Sequence, residues 1–225
     1  MVLKGLTGKI KEKAKKFKNY FKREEKTSKK IKKDREKLLR DLHKLLTILY
    51  KQMFIRPYCQ NNEYRVIIDN NSRIIFCRIL GNINAMYRLT HREYNKVSAE
   101  TRLLDRELYR LNKEYYEALQ QGRRDAIKRL EEMKLRIIKD LNVKQDEKIL
   151  FLNIMSLHRD NEHLVIQLMG RIKNKAIKKD LKQLSKLIKK EGKIIDKLNK
   201  HIKEENKLFK EEIRSIKQLY DVIQY

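Results

Sequence analysis

The chain has one proline, six glycines, two cysteines and no tryptophan in 225 residues. So little Gly and Pro excludes turn-rich β architectures, because these residues supply the special backbone angles of tight turns. Two cysteines, Cys59 and Cys77, make no disulfide framework. Free thiols fit a cytoplasmic location, with the inner face of the membrane as a peripheral alternative. Long hydrophobic runs are also missing. The longest uncharged apolar run is Ile149 to Leu157, well below the roughly 20 residues that cross a bilayer. Lysines at positions 4, 9, 11, 13, 15 and 16 leave no apolar region for a secretory signal there.

The chemistry of catalysis is equally sparse. Scattered glycines make no phosphate loop, and no Cys/His set has zinc spacing. His158 and His163 stand five apart, which is off one helix face, and they read as solvated surface. His43, His91 and His201 are isolated. No catalytic residue, cofactor, metal or small-molecule substrate is therefore expected, and an enzyme is the least expected class.

What the chain has in excess is positive charge. Lys and Arg number 57 against 30 Asp and Glu, a net of +27. Residues 1–40 hold 17 basic and 5 acidic side chains, and residues 171–203 hold 13 and 3, so these two blocks supply +12 and +10 of the total. A bland account, compositional drift toward Lys, does not explain why Lys outruns Glu in two blocks only. A field of this size attracts phosphate, on nucleic acid or on lipid. The expected polyanion-binding residues are Lys9, Lys11, Lys13, Lys15, Lys16, Lys18, Lys29, Lys30, Lys32 and Lys33 in the first block. In the second they are Lys175, Lys178, Lys179, Lys182, Lys186, Lys189, Lys190, Lys193 and Lys197.

Helix-forming Leu, Lys, Glu and Arg dominate, and the expected fold is all-α: an elongated bundle of long helices. Residues 1–26 read as a basic amphipathic arm. Leu3, Leu6, Ile10, Phe17 and Phe21 share one stripe, which docks on a membrane or on protein. Arg23 to Ser28 read as a break, with Thr27 or Ser28 capping the next helix. Residues 27–141 form a helical core, opening with a helix over 28–56. Over 63–80 two β-branched runs flank Asp69-Asn70-Asn71-Ser72, which suggests a β-hairpin. The rival reading starts a helix near Ser72. A long helix follows over 83–121, then a short one over 124–141, with a joint at Asn142-Val143.

Residues 142–225 read as one or two long basic helices, with Gly170 and Gly192 as weak points. Leu181, Ile188, Ile195, Ile202, Phe209, Ile216 and Ile223 recur every seven residues, the mark of a coiled-coil seam, antiparallel or oligomeric. The positions four further on are largely polar. The middle of the chain exchanges Lys for Arg and concentrates Tyr. That mixture suits a docking surface, but Arg paired with nearby acids would produce the same pattern.

Three functions fit. The first is a non-enzymatic nucleic-acid or ribonucleoprotein binder using Lys-rich helices. The second is a peripheral scaffold on anionic lipid, docked through the N-terminal stripe. This order of elements loosely resembles that of the phage-shock and ESCRT-type membrane remodellers in architecture alone. The third is a protein–protein scaffold, self-associating or paired with another helical protein.

Overall fold

The structure, a computed structural model, describes residues 2–49, 69–97, 123–224 and eight residues between 99 and 114. Before Lys22 it describes the side chains of Glu12, Lys15, Lys16 and Asn19 only. The protein is all-α: among the described residues there is no strand. Its helices are α1 (Val2–Ile48), α2 (Asn70–Arg92), α3 (Arg123–Arg171) and α4 (Lys175–Gln224). A π-helical turn, Glu93–Val97, continues α2. The described residues from 99 to 114 are helical as well.

Several local expectations change. The break at Arg23 to Ser28 is absent, because α1 runs through it. Thr27 turns its hydroxyl inward and donates to the Arg23 carbonyl at 3.0 Å, a bond made inside a helix and not at a cap. The second strand of the expected hairpin, residues 73–79, is helical, and its first strand lies outside the described residues. Asp69 caps α2: its carboxylate accepts from the Ser72 backbone N–H at 2.9 Å and from the Ser72 hydroxyl at 2.6 Å. Phe76, Ile79, Ile83 and Met86 then bury one helical face. The rival reading, a helix starting near Ser72, describes this segment.

Nor is there a joint at Asn142-Val143, which lies inside α3. The separation of α3 from α4 falls at residues 172–174. There the Asn174 side chain accepts from the Ile177 N–H at 3.3 Å and starts the last helix. Gly170 stands next to that turn, whereas Gly192 lies within α4.

The chain forms two compact units. The first comprises residues 1–32, 95–148 and 200–225, the second residues 33–94 and 149–199. In the first unit Leu111, Leu130, Met133, Ile137, Phe209 and Ile216 make an apolar cluster. Ion pairs Arg129–Glu114 at 3.2 Å and Arg136–Glu107 at 3.1 Å set the 107–114 segment antiparallel to α3. In the second unit α1 and α2 are antiparallel: Arg35–Glu93 at 3.0 Å and Tyr94–Glu36 at 2.7 Å join them at one end, and the His43 and Tyr87 rings stand 6.1 Å apart farther along.

Burial in each unit follows steps of three and four residues. On α4, Leu181, Leu184, Ile188, Glu191, Ile195 and Leu198 are buried in the second unit. Ile202, Glu205, Phe209, Glu212 and Ile216 are buried in the first. Six of the seven expected seam residues are thus inside, and the Ile223 side chain lies outside those described. Their companions, however, stand three residues on and not four. Ser185, Gly192, Asn199 and Asn206 are only half-buried. Three of the five true companions are glutamates.

Candidate polyanion-binding face and the buried charges

A helix turns about 100° per residue, so spacing alone places side chains around it. On α4 in the second unit, Lys175, Lys178, Lys179, Lys182, Lys186, Lys189, Lys190, Lys193 and Lys197 share an arc of about 120°. The arc lies opposite Leu184, Glu191 and Leu198, which are buried. All nine lysines are exposed except half-buried Lys178. Among the described residues only Lys190 has an acidic partner, Asp41 at 3.3 Å. The other eight make no ion pair with a described residue.

The first block is only partly described. Lys15, Lys16, Lys29, Lys30 and Lys33 are exposed, and Lys32 is half-buried. Lys16 pairs with Glu12 at 3.0 Å and Lys29 with Glu25 at 2.7 Å. The side chains of Lys9, Lys11, Lys13 and Lys18 lie outside the described residues, as do those of Leu3, Leu6, Ile10, Phe17 and Phe21.

From Lys33, which the sequence reading included, this block continues through Lys37, Arg40 and Lys44, which it passed over. Lys33, Lys37, Arg40 and Lys44 step by four, three and four along α1, all exposed and none in an ion pair among the described residues. They occupy an arc of about 60°, opposite buried Leu38, Leu42 and Leu45. Lys190–Asp41 is the contact that makes α1 and α4 neighbours in this unit. The signal was present in the spacing, since the positions opposite a buried stripe face solvent.

The interior carries charge that composition does not reveal. In the first unit Lys144 is 4% exposed. Its ammonium lies 2.6 Å from Glu24, 3.2 Å from Asp140 and 4.2 Å from the Phe209 ring centre. Burial alone would lower its pKa, but the carboxylates of Glu24, Glu205 and Asp140 together hold it well above the ordinary value. Burial raises the Asp140 carboxyl, against the pull of Lys144.

In the second unit burial likewise raises Glu93, against Arg35. Glu191 is 1% exposed, and among the described residues neither carboxylate oxygen has a hydrogen-bond partner. Burial, reinforced by the charge of Asp41 and opposed by Lys190, pushes its pKa up to about 8.

His158 is buried and not on a solvated surface, a correction to the sequence reading. It packs against Gly192, where a Cβ would stand 2.7 Å from its Nε2. Burial lowers its pKa. His163 is exposed as expected. Two members of the Arg- and Tyr-rich middle bind other helices: Arg78 donates twice to Asp160 at 3.0 Å, and Tyr94 donates to Glu36. Cys77 is an exposed free thiol, and Cys59 lies outside the described residues.

Among the described residues no three His, Cys, Asp or Glu side chains are placed to hold a metal, and no helix is long and apolar enough to cross a membrane. Against protein-family models, curated proteins and solved structures, the chain finds no match.

Proposed function

We propose that this is a non-enzymatic helical protein of the cytoplasm that binds nucleic acid, free or within a ribonucleoprotein, through its lysine-rich helices. The observation that carries the reading is the row of eight lysines on α4 without an ion-pair partner among the described residues. Like charges three and four residues apart each destabilise a helix by a few tenths of a kcal/mol. A row kept open in this way is offset when polyanion phosphates neutralise it. The seven-residue spacing of buried α4 residues supports coiled-coil packing behind that face. Lysine, a point charge with three donors, suits backbone phosphates more than base edges.

The experiment replaces Lys182, Lys186, Lys189 and Lys193 by Gln and compares binding to RNA, DNA and anionic liposomes. Protein purified without nuclease should carry nucleic acid, seen as a raised A260/A280 ratio. The variant should bind RNA and DNA more weakly, uniformly across sequences. A variant that binds all three as the parent does makes the row a solvated face. Binding to liposomes with no affinity for nucleic acid would transfer the function to membrane.

A further inference from the structure

Resting on that reading, we infer that the second unit binds a duplex, along its two backbones and without reading bases, using the α1 and α4 cation rows together. The α1 row is Lys33, Lys37, Arg40 and Lys44; the core of the α4 row is Lys182, Lys186, Lys189 and Lys193. Both rows point away from the buried stripe of their own helix. They flank a common boundary, marked by the Lys190–Asp41 pair at 3.3 Å. At 1.5 Å per residue the two rows run about 16 Å along each helix.

Three kinds of polyanion could meet such a face, and its composition separates them. A single strand exposes its bases, and proteins that hold it supply aromatic platforms for stacking. Among the described residues neither α1 nor α4 exposes a Phe or Tyr side chain, and the exposed His43 ring lies 6.1 Å from Tyr87. A lipid surface takes an apolar face inserted below the headgroups. The described large apolar side chains that are exposed, such as Leu135, Leu152 and Ile166, all lie off α1 and α4. A duplex presents two phosphate backbones bordering grooves about 6 and 12 Å wide. Packed helices lie about 8–10 Å apart, so two rows of long cationic side chains reach both backbones. Base discrimination uses side chains held bidentate to base edges, for which the planar Arg fork or an amide is better shaped than Lys, a point charge on a flexible stem. Lys supplies seven of the eight positions, so the surface reads charge and groove shape.

The test uses the full chain, a labelled 20-base-pair DNA duplex and one of its strands. Anionic vesicles are run in parallel. The variant carries Lys33→Gln, Lys37→Gln, Arg40→Gln and Lys44→Gln, and far-UV circular dichroism checks that it remains helical. The Lys37→Gln, Arg40→Gln pair serves if the quadruple change unfolds the chain, with about half the effect.

The parent should bind the duplex at least tenfold more tightly than the strand. The α1 variant should lose at least tenfold in duplex affinity, and its log–log salt slope should fall by about 3 to 4, at 0.9 per phosphate lost. Equal or tighter binding of the single strand overturns the duplex assignment while leaving nucleic-acid binding intact. An α1 variant that binds duplex as the parent does removes the α1 row from the site. A parent that binds vesicles and neither form of DNA refutes the earlier reading and this inference together.

Discussion

Glu191 should make the protein less stable as pH rises. Its carboxyl is buried on α4, neither oxygen has a hydrogen-bond partner among the described residues, and Asp41 stands close enough to repel it. Unfolded, the group titrates near 4.5; folded, near 8. A raised acid holds its proton longer in the native state. Its contribution is therefore fully present below pH 4.5 and is lost as pH climbs toward 8. The loss runs at about 1.4 kcal/mol per pH unit, which amounts to about 3 kcal/mol by pH 7. Glu191→Gln matches the shape of the protonated acid and cannot ionise. Urea unfolding followed by circular dichroism, at pH 5, 6, 7 and 8, should give nearly equal stabilities at pH 5. At pH 7 the variant should be the more stable by about 3 kcal/mol. A gap that stays constant across this range, or no gap at pH 8, would refute the argument that burial keeps the proton on Glu191.

Other substitutions probe the interior. Ile202→Asp puts a charge where Ile202 is 5% exposed and should remove at least about 3 kcal/mol; Lys203→Asp, on the exposed side, should shift the melting temperature little. Equal melting temperatures would take Ile202 out of the core. Lys144→Met leaves Glu24 and Asp140 buried without their cation, and urea titration at pH 8 should show a loss of about 3–5 kcal/mol. The loss should shrink as pH falls, because burial raises the Asp140 carboxyl and its protonation removes an unpaired charge. Gly81→Ala meets nothing within 4 Å and should stabilise α2 by about 0.5–1 kcal/mol. Gly192→Ala should lose that gain against His158, and adding His158→Gly should relieve the clash, as thermal melts of the set would show.

The helices were legible because long 3- and 4-residue spacings bury a stripe whatever surrounds them, and Leu181, Ile188, Ile195, Ile202, Phe209 and Ile216 are buried. The companion positions were not, because Glu191, Glu205 and Glu212 break the apolar pattern that announces a buried face. For Glu205 a distant residue bears on this: its charge acts on buried Lys144, whose partner Glu24 is 120 residues away. Segment boundaries failed where one local chemistry serves two structures. An Asp accepting the backbone N–H three residues on suits both a turn and a helix start, and only the apolar face of Phe76, Ile79 and Ile83 decides for the helix. Thr27 shows the converse, a capping residue spent inside a helix. The lysine face on α4 was legible because residues 171–203 offer only three acids, one of which is buried. Its counterpart on α1 was present in the spacing too; that the two rows are neighbours was not, since Asp41 and Lys190 meet only in the fold.

The most direct test of polyanion binding is the salt dependence of the parent's affinity for a 20-base-pair duplex between 50 and 200 mM. Eight cations in contact with phosphates predict a straight log–log line with a slope near −7, and a loss in affinity of about 10⁴ over that range. An affinity independent of salt, or no binding at 50 mM, would contradict the account.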